Sequence, residues 1–120
     1  MAIVNKVDKK IKTTQGDVIK YQILTYCFFN KVEITNSDLQ SLALLAKNKD
    51  VELTKFCEIM VQEKIFKSSQ SARNAITKLN QKQLVDKNGK NKKTISLNGS
   101  IIIETEGLIL LDFKILGNES

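Results

Sequence analysis

Cationic and hydrogen-bonding side chains are concentrated in the middle of this 120-residue sequence. Residues 62–93 carry nine basic and two acidic side chains, whereas residues 94–120 carry one basic and four acidic ones. Such an uneven distribution indicates one surface that faces a polyanion and a separate surface of opposite sign. Inside the basic stretch, one predicted helix has an outer face of amide, hydroxyl and cationic groups: Gln70, Ser71, Arg73, Asn74, Thr77 and Lys78.

Catalytic and metal-binding residues are scarce. The sequence has no His and only two cysteines, Cys27 and Cys57, which are not spaced as CxxC. A Ser-His-Asp or Cys-His site is therefore excluded, and a structural zinc site lacks ligands. The cysteines could form a disulfide, bind a metal or fill the core, and their apolar surroundings favour the core. With no nucleotide-binding motif either, we expect no enzyme, no cofactor and no small-molecule ligand.

Length and composition predict one folded domain. A chain of 120 residues fits a single core, and 42% hydrophobic with 27% charged residues is typical of a globular protein. No apolar run approaches the roughly 18 residues of a membrane span, and the lysine-rich start has no apolar segment behind it. We therefore expect no membrane contact and a cytoplasmic location, or a virion if the protein is packaged.

Four amphipathic helices are predicted from apolar spacing. The first begins at Asp17 as N-cap and runs to about Phe29. The second begins with a capping box formed by Ser37 and Gln40. The third runs from Leu53 to about residue 64, and the fourth is capped by Ser68 or Ser69.

Strands are predicted in five short runs. Residues 31–35 alternate and are rich in β-branched side chains. Residues 84–87 and 92–97 flank Asn88-Gly89, a dipeptide that favours a tight hairpin turn. Residues 100–105 and 108–116 are strongly apolar and predict a second, C-terminal hairpin.

The segment IFKSSQSARNAITKLNQKQLVDKNGKNKKTISLN, residues 65–98, resembles the core of winged helix-turn-helix proteins such as MarR-type regulators and phage replication initiators. In that family a Ser/Thr-rich turn starts the recognition helix, Leu closes it, and a Leu-Val pair opens a basic wing. The residues that match are Ser69, Ile76, Leu79, Leu84 and Val85. The link from Phe56 to Ser69 is longer than the usual turn. The composition and the apolar tail also resemble small winged-helix proteins of crAss-like bacteriophages.

The resemblance implies a winged helix-turn-helix fold, of class α+β, with about four helices and a wing hairpin. The C-terminal β-hairpin predicted from the apolar runs is extra to that fold. It implies that one helix face meets the major groove of double-stranded DNA: Ser69, Gln70, Ser71, Arg73, Asn74, Thr77 and Lys78. It implies that the wing lies over phosphates or the minor groove: Lys87, Asn88, Lys90, Lys92 and Lys93. The alternatives are a merely solvated helix face and lysines that keep a hairpin soluble.

The tail predicts an interface with a second copy or with another phage protein. Its apolar residues exceed what one face of a small sheet buries, and runs that are apolar on both faces need cover on both. The expected contact residues are Ile101, Ile103, Leu108, Leu110, Phe113 and Ile115. The alternative is that the pair folds back on the first helix.

These observations divide the chain into a basic arm (1–15), a winged-helix domain (16–98) and a C-terminal extension (99–120). The arm either binds phosphates or is a frayed basic terminus. The leading hypothesis is a non-enzymatic, phage-encoded DNA-binding protein, a regulator or a replication accessory. The alternative is a structural subunit of a phage particle, such as a neck, connector or portal ring, that uses the same fold for subunit and packaged-DNA contacts.

Overall fold

A computed structural model of the chain describes residues 4–11, 15–104 and 109–116; for 4–11, 15 and 109–116 it describes the backbone alone. The helices are α1 (Gln15–Phe29), α2 (Asn36–Asn48), α3 (Leu53–Gln62) and α4 (Ser69–Gln81). The strands are β1 (Val4–Ile11), β2 (Val51–Glu52), β3 (Val85–Asn88), β4 (Thr94–Leu97) and β5 (Ile109–Leu116). The fold class is α+β, with these helices and a three-stranded antiparallel sheet in the order β2-β4-β3.

Helix α1 ends in a Schellman motif instead of leading into a strand. Lys31 has φ 56°, and the N–H of Val32 donates to the carbonyl of Cys27 at 2.9 Å. This bond satisfies a carbonyl at the end of the helix that has no partner within it. The strand predicted at 31–35 was therefore wrong, and Val32 and Ile34 pack against the core from an irregular segment.

Helix α2 is held at its start by a capping box. The hydroxyl of Thr35 accepts from the N–H of Asp38 at 3.1 Å, and the Asp38 carboxylate accepts from the N–H of Thr35 at 3.1 Å. The box predicted at Ser37 and Gln40 was wrong by two positions, because Ser37 already lies inside the first turn. Thr35 takes the extended backbone that an N-cap requires.

The hairpin of β3 and β4 has a longer connection than the sequence predicted. Asn88 pairs with Thr94 in the ladder, so the loop consists of residues 89–93. Because Asn88 is a strand residue, the left-handed backbone conformations fall on Gly89, Asn91 and Lys92, with φ of 79°, 62° and 55°. The predicted two-residue Asn-Gly turn was therefore wrong, although the hairpin itself is confirmed.

The core lies between the four helices and the sheet, with Phe56 fully buried within it. Cys27 and Cys57 are buried free thiols, which confirms their interpretation as core residues. Burial raises the pKa of both thiols, and the opposing effects of Lys82 on Cys27 and Arg73 on Cys57 are weaker. Both cysteines therefore remain neutral at neutral pH.

The two ends of the chain pair with each other. Strand β1 is antiparallel to β5, with a register from Val4 opposite Leu116 to Ile11 opposite Ile109. The predicted C-terminal hairpin was wrong, since 101–104 is not a strand and β5 takes a partner from the N-terminal region. That region was predicted as an arm, but 4–11 is a strand.

Residues 101–104 lie against the body of the fold: Ile101 and Ile103 line a pocket with Leu45 and Ala46 of α2, and Glu104 is bonded to α1. The Gln22 side-chain amide donates to the carbonyl of Glu104 at 2.6 Å, and its oxygen accepts from the N–H of Glu104 at 2.8 Å. Gln22 thereby satisfies the same backbone groups that a partner strand would satisfy. The alternative placed a β pair on the first helix, whereas the structure places only Glu104 there, because 101–104 is not a strand and β5 pairs with β1.

Candidate nucleic-acid interface

Helix α4 is fixed by a cap and by one apolar face. The hydroxyl of Ser68 accepts from the N–H of Ser71 at 3.1 Å, which confirms Ser68 as the N-cap. The helix packs on α3 and the core through one face: Ala72, Ala75, Ile76 and Leu79. The opposite side of the helix is therefore held in a defined orientation towards solvent.

Six of the residues predicted to read DNA are exposed on the outer face of α4: Ser69, Gln70, Ser71, Asn74, Thr77 and Lys78. The amide of Gln70 donates to Asn74 Oδ1 at 2.9 Å, one helical turn away. This bond leaves Gln70 Oε1 as an acceptor and Asn74 Nδ2 as a donor for a further partner. The helix thus carries a pre-arranged acceptor and donor side by side.

Arg73 differs from the rest of the predicted set. It is half-buried, and its Nη2 donates to Thr54 Oγ1 in the first turn of α3 at 3.2 Å. The guanidinium therefore turns towards α3, away from the outer face of α4. The structure separates Arg73 from the six residues with which the sequence grouped it.

The residues predicted for the wing also divide. Lys90, Lys92 and Lys93 are exposed on the β3–β4 loop, whereas Lys87 is half-buried within β3. The side chain of Asn88 donates to Ser96 Oγ at 2.7 Å across the hairpin. Asn88 is thus bonded within the sheet, and the lysines of the loop are the cations free to meet an anion.

Arg73 and two of the loop lysines meet at a pocket of about 280 Å³. We call this the basic pocket. Its lining residues are Glu52, Leu53, Thr54, Arg73, Asn91, Lys92 and Lys93. Sequence reasoning missed Glu52, Thr54 and Asn91, because the strand that brings the start of α3 to the hairpin is only two residues long. Of the predicted DNA-binding residues, the pocket unites Arg73, Lys92 and Lys93.

The predicted partner interface is only partly described. Ile101 is 7% exposed and lies in the core of this chain, so it offers little surface to a partner. Ile103 packs against the same core. Leu108 lies outside the described residues. Leu110, Phe113 and Ile115 belong to β5, whose side chains lie outside the description.

An apolar face on α1 was missed by sequence reasoning. Tyr21, Leu24, Phe28 and Phe29 are 50%, 47%, 78% and 75% exposed, and we call them the α1 apolar face. Tyr21, Leu24 and Phe28 border a groove of about 650 Å³, which Val32 and Ile34 also line. The signal was present in the sequence, since residues 21–29 contain no charged side chain and therefore cannot have the charged outer face that is typical of a surface helix.

Comparison with known proteins finds no matching family model, no matching curated protein and no matching solved structure.

Among the described residues, no helix is long and apolar enough to cross a membrane. In the same part of the chain, no group of three or more His, Cys, Asp or Glu side chains is placed to hold a metal ion.

Proposed function

We propose that this chain is a non-enzymatic DNA-binding protein of the winged-helix class, encoded by a bacteriophage and acting in the host cytoplasm as a regulator or replication accessory. The observation that carries the proposal is the adjacency of α4 and the β3–β4 loop, since Arg73 lines the same pocket as Lys92 and Lys93. A polar helix beside a lysine-rich hairpin suits a DNA groove together with its flanking phosphates.

In this proposal the outer face of α4 enters the major groove. The acceptor Gln70 Oε1 and the donor Asn74 Nδ2 match the N6 amino group and the N7 atom that adenine presents there. The hydroxyls of Ser71 and Thr77 are on short side chains. They can reach base edges or phosphates only when the helix lies close to the DNA. Sequence preference is thus assigned to the two amides.

The loop lysines supply affinity. Lys90, Lys92 and Lys93 are exposed and close in sequence, as phosphate contacts require. Lysine neutralises phosphates without reading bases, so this contribution is independent of DNA sequence and weakens with salt. The net charge of +6 further favours encounter with a polyanion.

A fluorescence-anisotropy titration of labelled duplex DNA at 50 mM and 200 mM salt tests the proposal. We expect the affinity to fall by a factor of about 10³ or more between these concentrations if about six phosphates are contacted. The triple variant Lys90→Glu, Lys92→Glu, Lys93→Glu removes three of those contacts and adds repulsion. Its binding at the lower salt should weaken by a factor of about 100 or more.

The matched control changes three exposed lysines elsewhere, Lys31, Lys47 and Lys49, to Glu. Both triple variants have the same net charge, so only position distinguishes them. The control should retain most of the wild-type affinity. Binding without salt dependence, or equal losses in the two variants, would contradict a DNA interface at the loop.

A second candidate function is that of a structural subunit of a phage particle, which the α1 apolar face favours. Aromatic side chains bury roughly 200 Å² each, so Tyr21, Phe28 and Phe29 expose on the order of 400 Å² together. That is within the roughly 300–600 Å² typical of the largest patch on a monomer, which is often functional. The occupant we assign is another copy of this chain, because two such faces approach the roughly 1,000 Å² of a specific interface.

Light scattering after size exclusion, with and without duplex DNA, separates the two functions. A defined high-mass oligomer without DNA, dispersed by Phe28→Ser, supports the structural subunit. A dimer dispersed by Phe28→Ser supports contact between two α1 apolar faces but excludes a ring. A monomer at high protein concentration excludes both and leaves the DNA-binding function.

A further inference from the structure

The basic pocket is enclosed by three elements that are tied together through their backbones. Val51 and Glu52 of β2 pair with Ile95 and Thr94 of β4, which brings the start of α3 to the hairpin. The N–H of Leu53 then donates to the carbonyl of Lys93 at 2.7 Å. The side of the pocket formed by β2, α3 and the loop is thus fixed by main-chain hydrogen bonds, and Arg73 of α4 is joined to it through its side-chain bond to Thr54.

The loop side of the pocket is held in an unusual conformation. Asn91 and Lys92 both have positive φ, and the N–H of Lys92 donates to the carbonyl of Gly89 at 3.2 Å. Left-handed backbone in non-glycine residues is uncommon and persists where the surroundings enforce it. Asn91 and Lys92 both line the pocket, so its loop side has a defined backbone conformation.

The charges in the pocket select an anion. Three cationic residues, Arg73, Lys92 and Lys93, line it together with one carboxylate, Glu52. The bond from Arg73 to Thr54 uses one of the five N–H donors of the guanidinium and holds its plane. The remaining donors keep the fork geometry that binds phosphate oxygens in pairs.

The size of the pocket limits the ligand. At about 280 Å³ it is smaller than the roughly 300–1,000 Å³ of pockets that hold drug-sized molecules. A single tetrahedral anion with its bound water suits this volume better than a nucleotide does. The side chains that line the pocket add hydrogen-bond donors from Asn91 and Thr54.

We infer that the basic pocket binds one phosphate group, with Arg73 as its principal ligand and Lys92 and Lys93 as supporting charges. The inference rests on the proposed function in that a phosphodiester of the DNA backbone is the expected source. The sequence grouped Arg73 with the residues that face the major groove. In this inference Arg73 instead contacts a phosphate and positions α4, and Gln70 and Asn74 read the bases. A free phosphate ion offers the same chemistry and is the other possible source.

The first experiment titrates the ¹⁵N-labelled full-length protein with inorganic phosphate and follows the amides of 91–93 and the Arg73 side chain by NMR. We expect saturable shifts at these positions. Arg73→Ala should weaken phosphate binding at least tenfold, whereas Glu52→Gln should strengthen it several-fold, because it removes the carboxylate. A general loss of structure would weaken phosphate binding in both variants. It would not weaken binding in Arg73→Ala and strengthen it in Glu52→Gln.

Thr54→Val controls for folding, because it removes the hydrogen bond to Arg73 and keeps the charge. Its thermal melt should match that of Arg73→Ala, and its phosphate affinity should lie between those of Arg73→Ala and the wild type. An affinity for phosphate that is the same in all four proteins would overturn the inference.

The second experiment separates the two phosphate sources with duplex DNA. Arg73→Ala should weaken binding equally for all DNA sequences and lower the slope of log affinity against log salt by about 0.9. Gln70→Ala should instead alter sequence preference at constant slope. If phosphate binds in the pocket but DNA does not bind to the protein, the phosphate site is supported and its ligand is free phosphate. The proposed DNA-binding function then fails. If Arg73→Ala changes preference at one base pair and phosphate causes no shifts, the pocket fails and the proposed function stands.

Discussion

Helices α4 and α1 pack on the same core but present opposite chemistry to solvent. The outer face of α4 is polar and ends in Lys78, and it borders a loop with three lysines. The α1 apolar face has large hydrocarbon side chains with no charge from residue 21 to residue 29. Two surfaces that differ so much in chemistry suit different partners. A polyanion suits α4, and another apolar surface suits α1.

The strongest way to break this comparison is to damage the core that the two helices share. Ile23 of α1 and Ile76 of α4 are each 1% exposed. We expect Ile23→Ala and Ile76→Ala each to lower the free energy of unfolding by about 2–5 kcal/mol, because each leaves a cavity. Urea denaturation followed by circular dichroism measures both. A cost below about 1 kcal/mol for either would show that the corresponding helix packs loosely.

The start of α4 provides a smaller effect. Ser68→Ala removes the acceptor for the N–H of Ser71 and should lower stability by about 1 kcal/mol. Ser69→Ala is the matched control, since Ser69 is exposed and lies within the helix, where Ala is favoured. Equal losses in the two variants would argue against Ser68 as the cap.

The ends of the two helices should behave alike despite their different faces. Lys31 after α1 and Gln83 after α4 both have positive φ, at 56° and 62°. Lys31→Gly and Gln83→Gly should each stabilise the protein by about 0.5–1 kcal/mol, because the left-handed conformation costs glycine little. Gln81→Gly, inside the last turn of α4, should destabilise it by a similar amount. Thermal melts measure all three variants. A loss of stability in all three would contradict left-handed conformations at Lys31 and Gln83.

The smallest stability effect, and the sharpest test of the comparison, is at Phe28. Because its side chain is 78% exposed, Phe28→Ser should change the free energy of unfolding by no more than about 0.5 kcal/mol. The same variant should reduce self-association in light scattering. If the free energy of unfolding fell by more than about 2 kcal/mol in a monomeric Phe28→Ser protein, the chain itself would cover the α1 apolar face.

The sequence predicted those features that depend on local periodicity. The four helices, the Ser68 cap, the β3–β4 hairpin and the buried cysteines all follow from apolar spacing and from the chemistry of single residues. The helix ends were harder to predict, because Lys31 occupies the left-handed position that glycine usually marks. Residues 31–35 therefore looked like a strand.

The remaining errors involve contacts between distant parts of the chain. The pairing of β1 with β5 joins segments about a hundred residues apart, and neither segment indicates its partner. In the candidate site, the position of Arg73 depends on Thr54, nineteen residues earlier. The sequence identified the cationic groups of the site but missed Glu52 and the pocket that unites Arg73, Lys92 and Lys93.

The pairing of β1 with β5 also determines the order in which the molecule is completed. Val4 is synthesised more than a hundred residues before its partner Leu116. The strand pair therefore cannot be completed until Leu116 has left the ribosome, whereas the helices and the three-stranded sheet between the two strands can fold as soon as residue 97 emerges. Because pairing between such distant segments is slow, we expect β1 and β5 to join after the segment between them has folded.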